Sequence, residues 1–111
     1  MINREIKFRF WNHIIGRMTN KNYLLSEIHD EDVNFKLLIP MQFTGLIDKN
    51  GVEIYEGDIL KTSSGIGYMV FDNCGYAIKS PGSEAVDYEF SAFYLECEVI
   101  GNIYENPELI Q

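Results

Sequence analysis

The side chains best suited to ligate a metal or attack an electrophile are His13, His29, Cys74 and Cys97. None of them sits at a ligand spacing such as C-x2-C or H-x3-H, so their expected roles are structural or at the surface. Cys74 lies in Asp72-Asn73-Cys74-Gly75. A nucleophilic cysteine needs a base or a positive field to hold its thiolate, and Asp72 opposes that. Asp30-x-Asp32-x-Asn34 copies the opening of an EF-hand loop. The copy then fails, because the glycine of position six would be Phe35 and the bidentate glutamate of position twelve would be Met41. Ser64-Gly65-Ile66-Gly67 lacks the lysine of a phosphate loop, and no G-x-S-x-G occurs. Carboxylate pairs exist at Glu53/Glu56 and Glu96/Glu98. In a strand, Glu96 and Glu98 flank Cys97 and share the solvent face. These residues assemble no catalytic, metal or cofactor set, and the expectation is a protein that is not an enzyme and carries no cofactor.

Two groups remain that suit binding. Tyr55, Glu56 and Asp58 surround Gly57, and loop aromatics with acids suit proline-rich or basic peptides. The competing structural reading makes Tyr55 a core residue and lets Asp58 shape the turn by accepting a local backbone N–H. The second group is a candidate basic patch of Arg4, Lys7, Arg9, Arg17 and Lys21, set against Glu5 alone in the first 21 residues.

Charge limits what these groups can do. The chain has 111 residues and a formal net charge of −8. From Ser80 to Gln111 there is no basic residue. Phosphate neutralisation requires a lysine and arginine surface, so the balance opposes general nucleic-acid binding. A basic N-terminal strand can instead pair with the acidic C-terminal part, within the chain or in a neighbouring subunit. Two cysteines do not make a disulfide framework. Charges interrupt every early apolar stretch, and no run approaches the ~20 apolar residues that span a bilayer. The expected setting is the cytoplasm, with no membrane partner.

The elements that must position these groups are mostly strands. Ile2, Ile6, Phe8 and Phe10 share one parity and Glu5, Lys7 and Arg9 the other, the period of a strand with one buried face. Trp11 breaks that pattern, and Arg17-Met18 begins a partner strand. Phe35 to Phe43 is apolar around Pro40, which predicts an edge strand or a break there. Asp48-Lys49-Asn50-Gly51 predicts a hairpin closed by a two-residue type I′ turn at Asn50-Gly51. Gly57-Asp58 launches Ile59 to Thr62; strands at Tyr68–Phe71, Tyr76–Lys79 and Tyr94–Ile100 follow. Tyr23 to Ile28 and Glu84 to Phe93 fit either a strand or a helical turn. Asn106-Pro107-Glu108 reads as an asparagine cap opening at most one helical turn. The length predicts one domain, 1–111, and the spacing of turn signals predicts a small barrel or sandwich.

Three stretches together resemble the YopX family of small phage and prophage proteins. They are Arg4-Glu5-Ile6-Lys7-Phe8-Arg9; Gln42-Phe43-Thr44-Gly45-Leu46 through Asp48-Lys49-Asn50-Gly51 to Ile54-Tyr55-Glu56-Gly57-Asp58-Ile59; and Glu98-Val99-Ile100-Gly101-Asn102 through Asn106-Pro107-Glu108-Leu109. Phe10 stands where the family usually has a small residue, and Phe43 where tyrosine is common. Residues 20–40 and 80–95 carry no family signal. The resemblance implies a mostly β fold, an SH3-like barrel with its core at about residues 40–104 plus added N-terminal strands and short helical turns. It implies a phage or prophage origin in a bacterial host and supplies no activity. The expected function is that of a non-enzymatic accessory protein acting on a host or phage protein, with homo-oligomers in view. The alternative is a nucleic-acid-binding module using the basic patch.

Overall fold

The computed structural model describes residues 6–19, 23–24, 38–62, 65–72, 75–82, 86–87 and 96–111. The strands among these residues form two five-stranded sheets, antiparallel throughout. The first holds β1 (Lys7–Asn12), β2 (Arg17–Met18), β3 (Tyr23–Leu24), β4 (Leu38–Ile47) and β5 (Glu53–Tyr55). Its order is β2-β1-β4-β5, with β3 beside β1 on the edge that β2 also uses. The second holds β6 (Asp58–Thr62), β7 (Gly65–Asp72), β8 (Gly75–Lys79), β9 (Val86–Asp87) and β10 (Glu98–Asn102), in the order β10-β6-β7-β8-β9. A 3-10 helix, Pro107–Ile110, ends the chain. The architecture is the mostly β, barrel-like one expected from the sequence, with the N-terminal strands added to it.

The chain passes from one sheet to the other at Glu56-Gly57. Ile54, Leu60, Met69 and Cys97, all at most 1% exposed, form a core that draws on both sheets. Strand β4 runs unbroken through Pro40, which pairs with Phe10 of β1. Both backbone polar groups of Gln42 point to Glu56, so the nitrogen of Pro40, two residues earlier, faces that same side and away from β1. Strand β5 starts to pair only at Phe43, so the missing donor costs no ladder bond.

The hairpin between β4 and β5 differs from the two-residue turn expected. Asp48 N–H donates to Val52 O at 2.8 Å, and Gly51 N–H donates to Asp48 O at 3.1 Å. The loop therefore holds three residues, Lys49 to Gly51, with Gly51 at φ +82° after a tight turn. The cause is Asp48, whose Oδ1 accepts N–H bonds from both Asn50 and Val52 at 2.8 Å. That carboxylate closes the loop one residue earlier than a type I′ turn would. The expected cap at Asn106 also differs. Its side chain accepts Asn102 N–H at 3.2 Å rather than capping the 3-10 helix.

Tyr23–Leu24 and Val86–Asp87 are strands, the two ambiguous stretches resolved in part. Arg4, Lys21, His29, the Asp30–Asn34 loop, Ser63-Ser64 and Cys74, all singled out from the sequence, lie outside the described residues. Among the described residues, no group of three His, Cys, Asp or Glu stands close enough to hold a metal, and no helix is long and apolar enough to cross a membrane.

Candidate functional site

Strand β1 carries its charges inward. Lys7 Nζ pairs with Glu53 Oε2 and lies over the Phe43 ring, 4.7 Å from its centroid. Arg9 Nη2 donates to Asp58 Oδ1 at 2.5 Å, and its guanidinium lies 4.9 Å from the Tyr55 centroid. Trp11 shares their parity and stacks on Tyr104 at 5.6 Å. The face that alternation marked as polar thus packs on β5, β6 and the segment after β10. Opposite charges and ring faces there replace the water those cations would otherwise need. The other face holds Phe10, which is 1% exposed and meets Tyr23 edge-on.

This geometry locates those residues singled out from the sequence that are described. Tyr55 is 3% exposed and belongs to the core, against Phe43. Burial first, and then Glu53, push its phenol up to about 12. Asp58 is 1% exposed, and its Oδ2 accepts Tyr55 N–H at 2.7 Å, the local bond that shapes the turn. Burial pushes its carboxyl up, and Arg9 and the Tyr55 N–H pull it partly back. Lys7 and Arg9 of the basic patch meet Glu53 of β5 and Asp58 of β6. Arg17 is exposed on the β1–β2 hairpin and makes no ion pair among the described residues. Glu96 is exposed and Cys97 fully buried, with Glu98 near Lys49 at 3.9 Å, as alternation predicted.

Of the Tyr55, Glu56 and Asp58 group, Glu56 alone faces open space. It borders a cleft of about 240 Å3 between the two sheets. Met41, Gly57 and Met69 form its buried floor. Pro40, Phe71 and Tyr104 stand at its rim, with Ile103 and Val70 completing the walls. Phe71 is 55% exposed. Glu56 Oε1 accepts Gln42 N–H at 3.0 Å, and Oε2 makes no hydrogen bond among the described residues.

Gly57 holds these walls together. Its N–H donates to Met69 O at 2.9 Å and its carbonyl accepts Ile103 N–H at 2.8 Å. Its φ of +83° lies in the left-handed region, and an added Cβ would meet Met41 Sδ at 3.2 Å. Asn102 sets the fourth wall. Its Oδ1 accepts N–H bonds from Tyr104 at 3.1 Å and Glu105 at 2.9 Å, and its amide donates to Glu105 at 2.8 Å. Sequence reasoning found Gly57 and Glu56 but missed the cleft, since its remaining residues come from three segments far apart in the chain. A second hollow, about 370 Å3, lies by the β1–β2 hairpin against Arg17, Met18 and Tyr23. Ile15 of the hairpin tip and Leu38 of β4 also line it.

Fold and site define a small all-β protein in which one glycine turn joins two sheets and floors a methionine-lined cleft. Residues 12–111 match the YopX protein family, and the chain belongs to that family. It is also similar to a solved structure, the crystal structure of protein EF1440 from Enterococcus faecalis. The two are 25% identical with a TM-score of 0.66, over 98% of this chain and 100% of that one. No curated protein matches the chain.

Proposed function

We propose that this is a non-enzymatic accessory protein of phage or prophage origin, working in the bacterial cytoplasm through protein–protein contacts. The cleft beside Gly57 is its contact site, and it takes an apolar side chain flanked by a cation from an extended partner segment. The observation that carries this reading is the lining: two methionines below, Phe71, Tyr104 and Pro40 at the rim, and the carboxylate of Glu56. Methionine adapts to irregular apolar shapes, aromatic rims supply contact area, and one carboxylate orients a basic ligand.

Fluorescence polarisation with labelled peptides tests it. The panel holds extended proline- and leucine-rich peptides with arginine, the same peptides with glutamate, and single-stranded DNA, all in ~50 mM salt, where electrostatic binding is strongest. The expected result is retention of the arginine peptides alone, lost in Phe71→Lys. Absence of peptide binding, or binding that Phe71→Lys leaves unchanged, refutes the cleft. DNA binding indifferent to Phe71→Lys supports the basic-patch alternative instead.

A further inference from the structure

We infer that the cleft takes the β1–β2 hairpin tip of a second copy of this chain, a step that rests on the cleft reading above. The tip is His13 to Gly16, between Asn12 and Arg17. Ile14 is 65% exposed and Ile15 63%, the two most exposed large hydrophobic residues described. They are also held in place. Asn12 Oδ1 accepts N–H bonds from Ile14 at 3.0 Å and Ile15 at 3.2 Å, and Gly16 N–H donates to Asn12 O at 2.8 Å. A tip fixed this way loses little conformational freedom on docking. Ile15 borders the 370 Å3 hollow beside the hairpin, yet both isoleucines stay largely exposed, an apolar pair at the tip of a strand turn.

Charge selects the partner. Residues 12–19 hold Arg17 and His13 and no acid, in a chain of net −8. The cleft's carboxylate is Glu56, and exposed Glu105 and Glu108 lie in the segment that follows its fourth wall. The tip is thus a basic, apolar projection and the cleft an acidic, apolar recess. Placement agrees with charge. Trp11 of β1 stacks on Tyr104 of the rim, so the tip begins two residues beyond the edge of its own chain's cleft. Two copies facing each other about a two-fold axis can therefore exchange tips, each filling the other's cleft. Such an interface is closed and self-complementary.

Sedimentation velocity tests this on the full chain, from ~1 to ~200 μM, in ~50 mM and ~500 mM salt, where charge contacts are respectively strong and screened. Wild type should dimerise, more weakly in high salt. Ile14→Ser/Ile15→Ser should weaken association at least ~100-fold, since burying one isoleucine is worth about tenfold or more. Phe71→Lys should do the same from the other side. Mixing the two variants restores one intact tip–cleft contact, so a dye-labelled tip variant should sediment with the cleft variant while neither associates alone. Arg17→Glu, an exposed change that leaves the cleft intact, should weaken the dimer by itself and keeps the test valid if Phe71→Lys does not fold. A wild type monomeric throughout overturns the inference, as does a dimer indifferent to the tip or a mixture that fails to associate. If the arginine peptides still bind that monomer, the cleft reading stands and only its occupant changes.

Discussion

Removing the carboxylate of Asp48 should destabilise the fold more than any other single change in the β4–β5 hairpin. Asp48 is 4% exposed and accepts three backbone N–H bonds, from Asn50 and Val52 at 2.8 Å and from Val99 at 2.9 Å. The first two build the loop. The third ties the hairpin to β10, beside a further bond from Lys49 N–H to Cys97 O at 3.1 Å. A hydrogen bond to a charged acceptor is worth about 1.5–3 kcal/mol net. In Asp48→Ala, water can recover part of that at exposed Asn50 and Val52, but less at half-buried Val99. The expected cost is about 3–5 kcal/mol, a large share of a total of about 5–15. Urea unfolding followed by Trp11 fluorescence measures it. The pH dependence supplies a second check. Burial pushes the Asp48 carboxyl up, but the Val99, Val52 and Asn50 N–H groups and Lys49 outweigh it and hold it below its ordinary value of 3.8. Its contribution is therefore present above that value and lost as pH falls through the depressed one. The gap between wild type and Asp48→Asn should narrow in that acid range. A cost below about 1 kcal/mol for Asp48→Ala, or a gap that stays constant into acid, would refute the reasoning.

Arg9→Met should cost about 3–5 kcal/mol in the same assay, because it leaves the buried Asp58 carboxylate without its cation. Adding Asp58→Asn should recover much of the loss, since asparagine still accepts the Tyr55 N–H. The sign of the pH effect is opposite to that of Asp48. A carboxyl raised in the fold gains stability as pH falls through its folded pKa, so the Arg9→Met defect should shrink toward acid, and a defect that grows there would count against it. Gly51→Ala should cost about 1 kcal/mol for φ alone, with no atom within 4 Å of the new Cβ. Gly57→Ala should cost more, because Met41 must also yield, and equal midpoints for the two variants would contradict the contact. In an ultraviolet titration one tyrosine should ionise near pH 12, and Tyr55→Phe should remove that step.

Much of this fold was legible because its signals are local. Alternation marked β1 and β10, turn signals bounded β7 and β8, and glycine placed the turns at Gly51 and Gly57. The hairpin type was not legible, because Asn-Gly favours a two-residue turn while the Asp48 carboxylate, two residues earlier, captures the N–H groups that decide loop length. The inward face of β1 was not legible either. Alternation separates apolar from charged residues, and it treats a charge as facing solvent unless the sequence also says where its partner lies. Lys7 finds Glu53 and Arg9 finds Asp58 across more than forty residues, through two sheets that no local pattern places together. The cleft escaped for the same reason, as each wall adds at most three ordinary residues.

Asp48 and Asp58 show how far the densest stretch of sequence is committed to the fold itself. Both are buried, yet their carboxyls shift in opposite directions. Asp48 receives three N–H bonds in a short loop, enough to overcome burial, whereas Asp58 has one N–H and a guanidinium and stays raised. Both are committed to internal bonds, as are Tyr55, Glu53 and the backbone of Gly57. Residues used this fully have no capacity left for a partner, and any change in them acts first on stability. Besides the Gly57 floor, Gln42 to Leu60 gives the cleft only Glu56, one carboxylate at its edge, and the other walls come from β4, β7 and the turn after β10. Those walls can vary without disturbing the Gly57 knot beneath them. The proposed contact thus draws on residues separate from those that fix the shape, and under that proposal a change of partner calls for substitutions at Phe71, Val70 or Tyr104 rather than in the hairpin.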